Sequence, residues 1–170
     1  MQDFVIRKST EADIKALYSV AEQMKVVNEV NYFEKCFKEH KDKKREIFVI
    51  EVEGKIVGYA QLIWSPTYAP FKSLAIPEIQ DINVVPLMRR QGFGEALIDY
   101  CENVVREAGG REIGIGFGLN SSFGSAQRLY IKKGYIPDGC GACYDNEPVK
   151  IGSLRAVDDY LTLKLTKELK

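Results

Sequence analysis

Apolar residues recur along this chain with two periods, and the switches between them lay out its elements. Phe4-Val5-Ile6-Arg7 reads as a short opening strand. Ser9 or Thr10 then caps a helix with Glu11 and Asp13 in its first turn, and Ile14, Leu17, Tyr18, Ala21 and Met24 follow at helical spacing. A second helical segment holds Tyr32, Phe33, Cys36 and Phe37. It leads into a charged run from Lys38 to Arg45, which reads as a solvated linker. Residues 47–51 and 56–64 form a hairpin about Glu53-Gly54. After a loop rich in proline and aromatics, SPTYAPFKSLAIP, a strand opens at Glu78 and stops at Pro86, which cannot donate to a ladder.

From Glu95 the period becomes helical through Ala96, Leu97, Tyr100, Cys101, Val104, Val105 and Ala108, with Gly109-Gly110 as its stop. The next strand, REIGIGFG, sets Ile113, Ile115 and Phe117 on one side and Gly114, Gly116 and Gly118 on the other. A glycine face invites close approach to the backbone, either by a ligand or by a packed helix. Ser121-Ser122 or Ser125 starts a further helix that carries Leu129, Tyr130 and Ile131 and ends at Gly134. A strand begins at Tyr135-Ile136, and a final alternating one covers residues 160–165. The order predicts one domain over residues 1–170, an α/β fold with a mixed, mostly antiparallel central sheet and helices on both faces.

The chain has 170 residues, 45% of them hydrophobic and 28% charged, which suits a globular protein with a core of its own. A formal net charge of +0 argues against general nucleic-acid binding, so any basic site is local. No apolar run is long enough for a membrane span, no signal-peptide layout opens the chain, and the four cysteines read as reduced thiols. The expectation is a cytoplasmic protein with no membrane or nucleic-acid partner.

The chemistry concentrates in EIQDINVVPLMRRQGFGEAL, residues 78–97. The helix that starts here offers Arg89, Arg90, Gln91, Gly92, Phe93 and Gly94 in place of a Ser, Thr, Asp or Asn cap. Orphan amides at a helix N-terminus need an acceptor, and a bound anion is the natural one.

Arg89-Arg90-Gln91-Gly92-Phe93-Gly94 after a strand ending V-V-P, the segment AQRLYIKKGY and the ending DDYLTLKLTKEL together resemble the GNAT superfamily of acetyl-CoA-dependent N-acetyltransferases. The resemblance runs from about Ile47 onward. It implies acetyl-CoA as co-substrate, no metal, and direct transfer of the acetyl group to an amine through a tetrahedral intermediate. The pyrophosphate would rest on amides from Gln91 to Glu95 beside Arg89 and Arg90, with glycine at 92 and 94 leaving room for phosphate oxygens. The pantetheine arm would lie along Asn83-Val84-Val85 in the manner of an added strand. The Val84 amide would polarise the thioester carbonyl, and the strand would carry a bulge.

By the same resemblance Tyr130 protonates the departing thiolate, a transfer from a phenol of pKa ~10 that relies on positioning. Glu78 stands where several family members keep a catalytic glutamate. Asp81 has the opposite parity, which would leave only one of the two facing the acetyl group; Glu78 is preferred as general base. Phe123 occupies the place of the usual family asparagine, so Asn120 is the candidate for the acyl-chain contact, and Ser125 can add a hydroxyl to the cofactor. Trp64, Tyr68 and Phe71, with Tyr32 and Phe33, could wall a pocket for a cationic amine or simply cover the core.

Other motifs carry less. Gly92-Phe93-Gly94 lacks the third glycine of a dinucleotide fingerprint, and the glycines of REIGIGFG lie within a strand. Cys140-Gly141-Ala142-Cys143 sits in a glycine-rich loop without the further ligands a zinc site needs, and His40 is remote. The expected acceptor is a small-molecule amine, with a protein N-terminus or lysine as the alternative acceptor and a non-catalytic acyl-CoA-binding module as the rival class. A homodimer is the oligomer considered.

Overall fold

The computed structural model describes residues 3–26 and 29–170, which fall into two compact units. The first runs up to Trp64 and adds Ile79–Val104; the second takes Ser65–Glu78 and Val105–Lys170.

In the first unit, strands β1 (Phe4–Lys8), β2 (Arg45–Val52), β3 (Lys55–Ile63) and β4 (Glu78–Val84, from Ile79 onward) lie side by side in that order. β1 and β2 pair antiparallel with Ile6 opposite Ile50, and β2 and β3 pair antiparallel with Val49 opposite Tyr59. The β2–β3 turn is the expected one: Glu53 and Gly54 both take positive φ, 51° and 73°, as a two-residue turn of matching twist requires. At Gly58 a Cβ would stand 2.6 Å from the Asn83 carbonyl oxygen, so glycine there admits the β4 backbone.

Helices α1 (Ile14–Gln23) and α2 (Tyr32–Lys41) pack on β3 and β2. Thr10 begins the 3-10 turn that feeds α1, and its amide donates to Asp13 Oδ2 at 2.8 Å, the reciprocal half of a capping box. Arg7 clamps the same carboxylate with two bonds of 2.8 and 2.9 Å. Leu17 and Val20 of α1 and Phe33 and Phe37 of α2 are buried, with Phe33 edge-on to Tyr18 and Tyr59.

The charged run 38–45 corrects a sequence expectation. Its first residues complete α2 and Arg45 opens β2, so only a short turn separates them. A charge run can be the outer face of a helix as readily as a linker. His40 is half-buried against Phe37, its pKa lowered by burial, and its Nδ1 has no hydrogen-bond partner among the described residues.

In the second unit, a short helix α3 (Ala69–Ser73) lies within the proline-rich segment read as loop, with Pro70 in its first turn. Helix α4 (Phe93–Glu107) ends in this unit, and Gly109 takes φ 82° where the expected stop falls. Strands β5 (Glu112–Gly118), β6 (Ile136–Tyr144), β7 (Glu147–Pro148) and β8 (Leu161–Glu168) run in the order β5-β8-β6-β7, all antiparallel, with helix α5 (Gly124–Lys132) between β5 and β6.

The glycine face of β5 is occupied by the unit's own side chains. A Cβ at Gly114 would lie 2.3 Å from the Phe71 ring, at Gly116 3.1 Å from Lys164 Cδ, and at Gly118 2.5 Å from the Phe123 ring. Of the two occupants expected there, packing is the one found. The Cys140–Cys143 motif is likewise no loop: it lies in β6 at the irregularity between Pro137 and Ala142. Both its cysteines are free, Cys140 exposed and Cys143 buried.

Candidate active site

Within the first unit, β4 runs into the 3-10 turn Pro86–Met88 and then α4. Arg90 and Gly92 take positive φ, 61° and 87°, where the backbone turns from strand to helix. Gly92 adopts this without penalty. The Gly92 carbonyl accepts from the Ala96 amide at 2.9 Å, and amides ahead of that bond have no acceptor within the helix. A Cβ on Gly94 would meet nothing within 4 Å, so the space before the first turn is open. Amides, an open approach and the positive end of a 15-residue helix dipole fit a pyrophosphate.

The side chains of this loop divide. Arg90 and Gln91 are exposed, while Phe93 is buried edge-on against Phe4 and can serve a ligand only through its backbone. Arg89 folds back: its Nε donates to the Val84 carbonyl at 3.2 Å and its NH2 lies 3.0 Å from Met24 Sδ. The Val85 amide is taken by the Val57 carbonyl at 2.9 Å. Asn83 is buried and donates to the Asp81 carbonyl at 3.2 Å.

Asp81 departs from strand geometry, with φ 50° in the middle of β4, a left-handed value found at bulges and costly for a residue with a Cβ. Side-chain parity therefore does not carry through the strand, and the separation of Glu78 from Asp81 by alternation alone loses its basis. The Asp81 carboxylate is exposed, yet its Oδ2 accepts from Tyr32 at 2.5 Å and from Gln61 Nε2 at 2.7 Å. Burial and the nearby Asp81 charge push the Tyr32 phenol up, which keeps it a donor. No hydrogen bond to Oδ1 occurs among the described residues. Tyr32 thus serves Asp81, and Phe33 belongs to the core.

In the second unit, Glu78 is 1% exposed, and its Oε1 accepts from Lys164 Nζ at 2.6 Å. The Lys164 ammonium also lies 5.4 Å above the Tyr68 ring, and Tyr68 donates to Asp138 Oδ2 at 2.6 Å. Tyr68, Phe71, Ile76 and Cys143 form one buried cluster. Tyr68 and Phe71 are therefore core residues, while Trp64 in the other unit donates to Glu46. Aromatics in a proline-rich loop look alike whether they face a ligand or a core, and burial separates the two.

Tyr130 on α5 is buried, with Phe117 and Tyr135 each 6.3 Å away between ring centroids. Its hydroxyl has no protein partner among the described residues, and burial raises its pKa well above that of a free phenol. Asn120 caps the 3-10 turn Ser121–Phe123: its Oδ1 accepts from the Ser122 amide at 3.0 Å and its Nδ2 donates to Asp159 at 2.9 Å. Ser125 stands exposed in the first turn of α5.

Three residues were not singled out from the sequence. Gln61 is the lone polar residue in the run VGYAQLI, which was a usable signal. Lys164 falls on a polar position of an alternating strand, and Arg45 closes a charge run, so neither stood out. Among the described residues no group of three or more His, Cys, Asp or Glu side chains is placed to hold a metal, and no helix is long and apolar enough to cross a membrane.

An open helix N-terminus after a strand with a left-handed residue at Asp81 suits a ligand that carries a pyrophosphate. The acetyltransferase (GNAT) domain family matches residues 43–137, more than half of the chain, and the chain belongs to that family. Solved structures share the fold at low sequence identity. Ribosomal-protein-alanine N-acetyltransferase from Brucella melitensis has a TM-score of 0.72 and 20% identity, over 97% of this chain and 99% of that one. The Salmonella typhimurium protein yncA, solved with its cofactor acetyl-CoA, has a TM-score of 0.70 and 17% identity, over 99% and 95%. A spermidine N-acetyltransferase SpeG chimera from Vibrio cholerae and hSSAT has a TM-score of 0.71 and 15% identity, over 98% and 95%. No curated protein matches the chain in sequence. The protein is a GNAT acetyltransferase.

Proposed function

We propose that the chain, acting as one catalytic domain, transfers the acetyl group of acetyl-CoA directly to the primary amine of a small molecule. Acetyl-CoA supplies an activated acyl thioester. The amides from Gln91 to Glu95, with Arg90, hold its pyrophosphate. The backbone of Asn83, Val84 and Val85 carries the pantetheine arm, and the Val84 amide donates to the thioester carbonyl as negative charge develops there. Asn120 and Ser125 add contacts to the cofactor, as the family resemblance implies. Tyr130 donates its proton to the leaving thiolate, a role supported by a hydroxyl with no protein partner among the described residues; burial keeps the phenol protonated, and the transfer itself depends on positioning.

The acceptor half rests on one observation, the Asp81 carboxylate. It is exposed, two donors hold its Oδ2, and Oδ1 accepts nothing among the described residues. Such a group binds an ammonium and can take its proton before attack. Glu78, favoured from the sequence, suits this less. Protonating a buried carboxylate paired with Lys164 would strand a buried ammonium without its counter-charge. The reading therefore moves the base to Asp81.

A panel of primary amines, followed by release of free coenzyme A thiol, tests the function. The expected result is turnover with at least one small amine, abolished in Asp81→Asn while acetyl-CoA still binds. Turnover confined to peptides with a free N-terminus or lysine would overturn the small-molecule assignment. Full activity in Asp81→Asn would overturn the base.

A further inference from the structure

Gln61 enters the site above only as a donor to Asp81 and Arg45 not at all, yet together they form a hydrogen-bonded chain that ends on Asp81 and whose polarity is fully determined. Arg45 NH1 donates to Gln61 Oε1 at 2.5 Å. A guanidinium only donates, so the oxygen of the Gln61 carboxamide must face Arg45 and its nitrogen must face away. That nitrogen lies 2.7 Å from Asp81 Oδ2 and 2.9 Å from the Tyr32 hydroxyl. Since Nε2 also only donates, the Tyr32 oxygen accepts from it, and the phenol proton goes to Asp81 Oδ2 at 2.5 Å.

Arg45 is itself fixed. Its Nε donates to Glu39 Oε2 at 2.6 Å, and NH1 lies 3.4 Å from Cys36 Sγ. Gln61 is fully buried, at 0% exposure, within a strand that is otherwise apolar from Ile56 to Ile63. A buried carboxamide needs its bonds satisfied, and each one here points toward a single orientation. The ionisable groups around Asp81 are Tyr32 and Cys36 of α2, Tyr59 of β3 and, through Gln61, Arg45 of β2.

We propose that Arg45 and Gln61 are positioning residues of the acetyl transfer: by fixing the carboxamide they converge two donors on Asp81 Oδ2 and leave Oδ1 as the acceptor presented to the ammonium substrate. The inference rests on the reading of Asp81 as base. It adds that the residue's competence is set by a chain beginning at Arg45. The left-handed backbone at Asp81 fits this role, since strain of that kind persists only where the surroundings hold it.

The test has two arms on the full chain. In the first, solvent exchange of the Gln61 carboxamide protons is followed by NMR in the wild type, Arg45→Met and Asp81→Asn. Loss of either end of the chain should speed exchange about tenfold or more, a free-energy change of about 1.4 kcal/mol or more. Unchanged exchange in Arg45→Met overturns the proposal whatever the enzyme acetylates.

In the second arm, acetylation of n-butylamine is measured at saturating acetyl-CoA and again against acetyl-CoA concentration. Gln61→Leu and Arg45→Met should each lower kcat about tenfold and leave the KM for acetyl-CoA unchanged. A purely structural role would move the KM for acetyl-CoA together with kcat. If Asp81→Asn is fully active, the underlying assignment of the base fails. If Asp81→Asn is inactive and Gln61→Leu keeps its kcat, the positioning inference alone fails.

Discussion

Lys164 Nζ donates to Glu78 Oε1 at 2.6 Å, and their side chains are 6% and 1% exposed. The lysine stem crosses the backbone at Gly116, where a Cβ would stand 3.1 Å from its Cδ. The pair is therefore a packed structural element whose removal in halves should be costly. Lys164→Met leaves a buried carboxylate without its lysine and should lose about 3–5 kcal/mol. The double variant Lys164→Met/Glu78→Gln should recover a substantial part of that. Urea denaturation of the set measures it, and equal losses in single and double variants would show that the charge pair is not the cause.

Two glycines of the same residue type should respond in opposite ways. Gly114→Ala drives a methyl to 2.3 Å from the Phe71 ring and should cost about 1–3 kcal/mol by overpacking. Gly94→Ala meets nothing in the protein and sits in a helix, so stability should hold or rise by about 0.5–1 kcal/mol. On the proposed cofactor seat, the same methyl enters phosphate space, and the Kd for acetyl-CoA should rise about tenfold. Thermal denaturation and calorimetric titration of both variants separate these effects; unchanged acetyl-CoA affinity in Gly94→Ala would remove Gly94 from the seat.

Tyr130→Phe should lower kcat about 10²-fold or more with little change in fold, since the hydroxyl leaves no protein partner unpaired. The phenol also has a pH signature. Burial raises its folded pKa above the unfolded value of about 10. Its contribution to stability is complete below that pH and is lost as pH rises toward the folded value. Wild-type stability should therefore decline above about pH 10 more steeply than that of Tyr130→Phe. Denaturation midpoints at pH 9 and 11, chosen to bracket that value of about 10, provide the check.

Asp13 should govern part of the acid limb of stability. Arg7 bonding foremost, aided by the Thr10 amide, holds its carboxyl well below the usual carboxylate range. A depressed folded pKa gives stability that is present above the unfolded value of about 3.9 and is lost as pH falls below it. Asp13→Asn should lower stability at pH 7 and flatten its decline between about pH 5 and 2. Parallel acid limbs in wild type and variant would exclude this clamp as a source of acid sensitivity.

Much of the fold was legible in the chain because its signals are local. Pro86 ended β4, Glu53-Gly54 made the hairpin, and Gly109 and Gly134 closed their helices, each through a conformational limit of one residue. The Arg89–Gly94 pattern pointed to the family for the same reason: a strand stop, two glycines and an uncapped helix lie within one short stretch.

What the chain order left open depended on partners distant in sequence. The glycine face of β5 could admit a ligand or packing, and Phe71, Lys164 and Phe123 decide for packing from far along the chain. Alternation set Glu78 and Asp81 on opposite faces, but a left-handed φ at Asp81 breaks the pleat that this argument assumes. Whether a carboxylate is buried with a lysine or held open by a glutamine is a property of tertiary neighbours. Lys164 stands 86 residues from Glu78 and Gln61 20 from Asp81, and no local period encodes either pairing. The sequence carried the elements and the family, and only the packed molecule distinguished a structural carboxylate from one left open to chemistry.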